Sequence, residues 1–119
     1  MTTQQPPGWT IEFFTDARGK SAVIEFINSL PERDQVAIGR LLLLLQEFGV
    51  HLGAPYARPV TGHRKLWELR PGAIRLFYFA HTGQRFVILH AFRKKTQETP
   101  RREIAIAERR MKEFLEEER

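Results

Sequence analysis

Lys65–Arg93 reads KLWELRPGAIRLFYFAHTGQRFVILHAFR, and the way this stretch divides decides the fold. Pro71-Gly72 and the HTGQ run from His81 to Gln84 are turn sequences, because proline presets one turn angle and glycine accepts the other. Between and beside them lie three apolar segments, Lys65–Arg70, Ala73–Ala80 and Arg85–Arg93. The last is especially rich in the β-branched and aromatic residues that suit a pleated surface. Connections this short join antiparallel neighbours, so the stretch predicts a three-stranded meander.

Upstream, VHLGAPYARPVTGHR (Val50–Arg64) carries the Gly and Pro of a loop. Before it, Val36, Ile38, the Leu41–Leu45 run and Phe48 define a helix that Gly49 stops. Pro31 suits the first turn of that helix. An earlier helix over Arg18–Leu30 has Val23, Phe26, Ile27 and Leu30 on one face. The short link between the two predicts an antiparallel hairpin. WTIEFFTD alternates, with Trp9, Ile11 and Phe13 on one side, which predicts a short strand. MTTQQPPG before it is a loose lead-in. Downstream, Ile104, Ala107, Met111, Phe114 and Leu115 mark one face of a final helix, with Thr99 as its cap and Pro100 in its first position. The expected fold is α+β, a single domain over residues 1–119 in the order β-α-α-β-β-β-α. The helical hairpin covers one sheet face and the last helix part of the other.

With 119 residues the chain is long enough to bury a core without staples. It has no cysteine, which excludes disulfides, thiol catalysis and thiolate metal sites. The N-terminus lacks the basic and apolar regions of a signal peptide, and the longest apolar run is far too short to span a bilayer. The expectation is a soluble cytoplasmic protein with no membrane partner.

Charge is unevenly spread. Residues 58–112 hold fourteen Lys or Arg and four Glu, within a chain of net charge +5. Such a segment is a footprint for a polyanion, against the plainer reading of a solubilising surface. Strand alternation puts Arg75 with Phe77 and Phe79, and Glu68 with Leu66 and Arg70. In the last strand it puts Val87, Leu89, Ala91 and Arg93 opposite Phe86, Ile88, His90 and Phe92. An unpaired charge inside an aromatic strand is costly. Arg75 is therefore a partner of Glu68, or a guanidinium held rigidly for a phosphate, or both. His90 reads as a core histidine with one hydrogen bond, and His51, His63 and His81 as solvated. No His, Asp and Glu cluster has metal-ligand spacing, and no phosphate-cradling glycine loop or serine elbow is present. No metal or cofactor is assigned.

LWELRPGAIRLFYF followed by ILHAFRKKTQETPRREIAIAERRM resembles the HigB-like, phage-derived branch of the RelE/ParE toxin superfamily. The motif residues are Glu68, Leu69 and Arg70; Arg75, Leu76, Phe77 and Tyr78; then Phe92, Lys94, Lys95, Thr96, Gln97, Thr99 and Pro100. The resemblance spans nearly the whole chain from Trp9, and the element order agrees with that fold. It implies the toxin of a type II toxin–antitoxin pair, an endoribonuclease that cuts mRNA on the ribosome and inhibits translation. It implies as partner a small helix-turn-helix, HigA-like antitoxin. Metal-independent cleavage requires a base for the 2′-hydroxyl, cations for the phosphorane and an acid for the 5′-oxygen. Arg75, Lys94, Lys95 and Glu68 are the catalytic candidates, with His90 as an alternative base to Glu68. Arg64, Lys65, Arg70 and Arg93 are the RNA- and phosphate-binding candidates. Leu66 and Glu68 stand where RelE has lysines, its arginine after the last strand is a lysine here, and its late tyrosine has no counterpart after Pro100. Arg75 is the catalytic position that aligns directly. Two other readings keep the fold: a ParE-like gyrase inhibitor, and a non-catalytic nucleic-acid or partner-binding module.

Overall fold

The computed structural model describes residues 8–118; the MTTQQPP stretch expected as a lead-in lies outside the described residues. The elements are β1 (Thr10–Phe13), α1 (Ala22–Asn28), α2 (Glu32–Phe48), β2 (Ala57–Pro59), β3 (Trp67–Leu69), β4 (Ile74–His81), β5 (Arg85–Arg93) and α3 (Arg101–Glu117). They form one five-stranded sheet in the order β1-β5-β4-β3-β2. The meander is present, with β3, β4 and β5 antiparallel in sequence. β1 adds to β5 in parallel, Thr10 opposite Arg85 and Phe13 opposite Ile88.

Several boundaries differ from expectation for local physical reasons. α1 begins at Ala22 rather than Arg18. Asp16 folds the preceding residues into a turn by accepting from the Arg18 and Lys20 amides at 2.8 and 3.0 Å. Ser21 then caps the helix through the Ile24 amide at 3.2 Å. The expected loop Val50–Arg64 contains a further strand, β2, paired antiparallel to β3 with Arg58 opposite Glu68. Its Pro59 is tolerated because β2 is an edge strand. At α3, Pro100 is itself the N-cap and no side chain caps the helix, so Thr99 does not take that role. Gly49 ends α2 as expected, with φ +59°. A side chain there would collide with the Trp9 indole, so conformation and contact both select glycine.

Each sheet face has its own core. Beneath the α1–α2 hairpin lie Val23, Ile38, Leu45, Leu69, Ile74, Leu76, Tyr78, Phe86, Ile88 and Ala91. Beneath α3 lie Phe14, Val60, Leu66, Phe77, Phe79, Val87, Leu89 and Phe92. Strict alternation along β5 fails at one place. Phe77 pairs with His90 but Tyr78 pairs with Ile88, so Leu89 is an extra residue in a bulge. Leu89 and His90 therefore both face α3, and every later residue changes side. Phe92 joins the α3 face, whereas Ala91 joins the hairpin face.

α3 is also fastened by polar contacts. His90 Nε2 lies 2.6 Å from Glu103 Oε1, Arg110 donates to the Leu89 carbonyl at 2.9 Å, and Arg85 donates to Glu118 at 2.8 Å. His63 contacts Glu108. Two of the histidines expected in solvent, His63 and His81, thus meet glutamates, Glu108 of this helix and Glu118 at its C-cap.

Phe77 is fully buried at the centre of the α3-side core and packs on Phe92 with ring centroids 5.4 Å apart. Phe77→Ala leaves a cavity in a sheet that cannot collapse. It is expected to cost about 3–5 kcal/mol, read from the urea midpoint at unchanged m-value.

Candidate functional site

The α3 side of the sheet changes character from one end of its strands to the other. β2 runs back from Val60 to Arg58, β3 forward from Leu66 to Glu68 and Arg70, and β4 back from Phe79 and Phe77 to Arg75. β5 leads from Phe92 to Lys94, whose amide continues the ladder by donating to the Ala73 carbonyl at 2.8 Å. The apolar halves are the core under α3, and the polar ends lie where the helix no longer covers them. There Arg70, Ala73, Arg75, Lys94, Lys95, Thr96 and Gln97 line an open cleft of about 520 Å³. Its floor is strand and its wall is the linker from β5 to α3.

Arg75 is the most constrained cation of this cleft, with 9% of its surface exposed. Its Nη1 donates to the Gly72 and Ile74 carbonyls at 2.7 and 2.8 Å, and its Nε lies 3.4 Å from Glu68 Oε2. Glu68 is almost wholly buried and its other oxygen, Oε1, accepts from Arg58 Nε at 3.3 Å. One carboxylate thus stands between two guanidiniums. Burial, and then the neighbouring Arg70, hold Arg75 below the ordinary arginine value. Burial likewise pulls Lys94 down. Glu68 opposes that shift, while Arg75, Arg58 and Arg70 add to it. The Nε of Arg70 is buried without a hydrogen-bond partner, although its amide donates to the Tyr56 carbonyl at 2.9 Å.

The structure brings together Arg70, Arg75, Lys94 and Lys95 but not all of the sequence candidates. Arg93 is on the opposite face, a consequence of the bulge in β5, and donates to Asp34 of α2 at 3.0 Å. It is corrected from a cleft wall to a clamp between sheet and hairpin. Arg64 and Lys65 are exposed at the far end of β3, beyond Leu66, and do not line the cleft. Glu68, a candidate base, lies under the arginines rather than at the surface, where it is their counterion. His90 is held between Glu103 at Nε2 and Arg110 at Nδ1, the latter at 3.3 Å. Both ring nitrogens are engaged by α3, which leaves none for a substrate. Arg58 was hidden in the sequence because APYARPV reads as a loop. Its signal was the pair Ala57 and Val60 flanking it, both buried. Among the described residues no group of three or more His, Asp or Glu is placed to hold a metal, and no helix is long and apolar enough to cross a membrane.

The fold is shared with chains of two solved complexes, the first a toxin–antitoxin complex. A chain of the RelBE2 complex from Mycobacterium tuberculosis aligns with TM-score 0.55 and 18% identity, over 73% of this chain and 99% of that one. A chain of the archaeal RelE–RelB complex from Pyrococcus horikoshii aligns with TM-score 0.58 and 15% identity, over 76% and 99%. No curated protein sequence matches significantly. Residues 25–112 match the family described as phage derived protein Gp49-like (DUF891), and the chain belongs to that family.

Two outcomes follow from these charges. Glu68→Gln leaves Arg58 and Arg75 without their buried counterion and is expected to cost about 3–5 kcal/mol. In denaturation curves sulfate should recover more of that loss than chloride at equal ionic strength, by more than it stabilises the wild type. The second concerns His90, whose value is lowered chiefly by burial, with Glu103 opposing and Arg110 and Arg109 assisting. A folded value below the unfolded one, about 6.5, means the native state binds fewer protons. The associated stability is present above about pH 6.5 and is lost as pH falls below it. His90→Gln should flatten that part of the stability–pH curve.

Proposed function

We propose that this chain is the toxin of a type II toxin–antitoxin pair and cuts mRNA on the ribosome without a metal. The observation that carries the reading is the cationic half-face, in which Arg75 is locked by two carbonyls and a buried carboxylate beside Arg70, Lys94 and Lys95. The RelBE2 structure that shares the fold is a toxin–antitoxin complex, and the archaeal one is likewise a two-protein RelE–RelB complex, which supports a cognate antitoxin as partner. In this reading that antitoxin is a small helix-turn-helix protein that neutralises the cleft.

Cleavage proceeds by attack of a 2′-hydroxyl oxygen on the adjacent phosphorus, with the hydroxyl proton passing to solvent in the open cleft. The P–O5′ bond breaks, leaving a 2′,3′-cyclic phosphate and a 5′-hydroxyl. The phosphorane carries more negative charge than the starting diester, so fixed cations stabilise it selectively. Arg75 cannot reorient without losing its carbonyl contacts, and so presents its remaining donors with little reorganisation. Arg70 and Lys95 add positive potential. Lys94, depressed by burial and by its arginine neighbours, gives up a proton more readily than a free lysine and is the acid for the leaving 5′-oxygen. Glu68 acts indirectly, by holding Arg75.

Induced expression is expected to arrest growth, with new mRNA 5′ ends in primer extension. Arg75→Ala should lower cleavage by roughly 10²–10³. Lys94→Ala, at a more exposed site, should do so without loss of stability. Arrest with DNA damage and no new 5′ ends would instead indicate a gyrase inhibitor. Binding without arrest would indicate a non-catalytic module.

A further inference from the structure

Arg58 stands outside both the motif and the cleft lining, yet it is built into the same charge network. Its side chain is half exposed, whereas the Glu68 carboxylate it meets is 3% exposed. A surface arginine ordinarily samples many rotamers and gains little from an ion pair. Here one end of the guanidinium is anchored to a buried charge, and the Glu68 contact is the one hydrogen bond of the Arg58 side chain among the described residues. Its Nη donors, which make the fork suited to phosphate, make no hydrogen bond among the described residues. The surrounding charges are unbalanced. A single carboxylate meets Arg58 and Arg75 and acts on Lys94, while Arg70 stands nearby without a carboxylate of its own among the described residues, which leaves a local excess of cation. Because Glu68 offers one oxygen to Arg58 and the other to Arg75, the two guanidiniums stand on opposite sides of one carboxyl group. Arg58 on β2 and Arg75 on β4 flank the one intervening strand β3, so the two cations lie on successive positions across the sheet.

We propose that Arg58 is a second phosphate subsite, which holds the phosphate next to the one gripped by Arg75, so that a single-stranded RNA leaves the cleft across β3 and over the edge strand β2. The proposal rests on the ribonuclease reading above and deepens it. It makes Arg58 a determinant of how much RNA the site takes, distinct from the groups that act on the reacting phosphate.

The test uses uncleavable 2′-O-methyl oligonucleotides, one with a single phosphate (a dinucleotide) and one hexanucleotide. Arg58→Gln is expected to weaken hexanucleotide binding about tenfold and to lower the slope of log K against log salt by about 0.7, one single-strand phosphate contact. Dinucleotide affinity should stay within about twofold of wild type. Should Arg58→Gln fold poorly, the wild-type chain carries the test. The hexanucleotide should protect Arg58 from phenylglyoxal, mapped by mass spectrometry, and the dinucleotide should not. Equal binding and slope in variant and wild type, or absence of that protection, overturns the subsite. An equal loss for both ligands overturns it too, since Arg58 would then act only through Glu68 on the cleft. A preference of the wild type for polyglutamate over the hexanucleotide assigns the row to an acidic protein segment and also overturns it. Failure of the wild type to bind either oligonucleotide overturns the subsite where induction still yields new mRNA 5′ ends, and overturns the ribonuclease reading itself where it yields none.

Discussion

The Glu68 carboxylate, buried between Arg58 and Arg75, is the constraint on which the site depends. Burying an ion costs several kcal/mol, and attraction to one partner often fails to repay it. The arrangement therefore does not maximise stability. What it achieves is placement: Arg75 can remain inside an aromatic strand with its guanidinium in one orientation. Remove the carboxylate and the arginines repel one another. Remove the arginines and the carboxylate is left buried without a partner. The charges that face a polyanion are thus supported from below by a charge of the opposite sign.

α3 turns this local arrangement into a cleft. It covers the apolar half of its sheet face and stops short of the charged half. The covered half is dry and fixes the strands, while the uncovered half keeps the excess cations close to water and to one another. The two halves use the same four strands, so the rigidity gained by packing Phe77, Phe79 and Val87 under α3 passes directly along the backbone to Arg75 and Lys94. The polar contacts at His90, Arg110, Glu103 and Arg85 then fix the position of the helix that sets the boundary.

The meander, the hairpin and the final helix were legible because each rests on a periodic apolar pattern bounded by turn residues. The Arg75–Glu68 pairing followed from alternation and neighbouring strands alone. What alternation cannot foresee is a bulge. Leu89 is chemically at home on either face of the sheet, so nothing in RFVILHAFR marks the residue at which the phase slips. That one slip removed Arg93 from the proposed cleft and carried it to Asp34. β2 was missed for a different reason. A three-residue edge strand needs no long pattern, and its Pro59 gives a loop signal although an edge strand tolerates it. Arg64 and Lys65 lie close to Glu68 in sequence, but a strand carries residues away from one another at over 3 Å per step.

The cleft wall and the tether of α3 are the same short segment, the residues between Arg93 and Arg101. Its length is therefore a structural variable in its own right. One end is pinned by the Lys94 amide on the Ala73 carbonyl, and the other by Glu103 on His90. A shorter connection would draw the first turn of the helix across the arginines and roof the site over. A longer one would let the wall swing away and spread the cations apart. Chains of this kind can thus open or close the same chemistry by insertion or deletion in a loop, with every charged residue left in place.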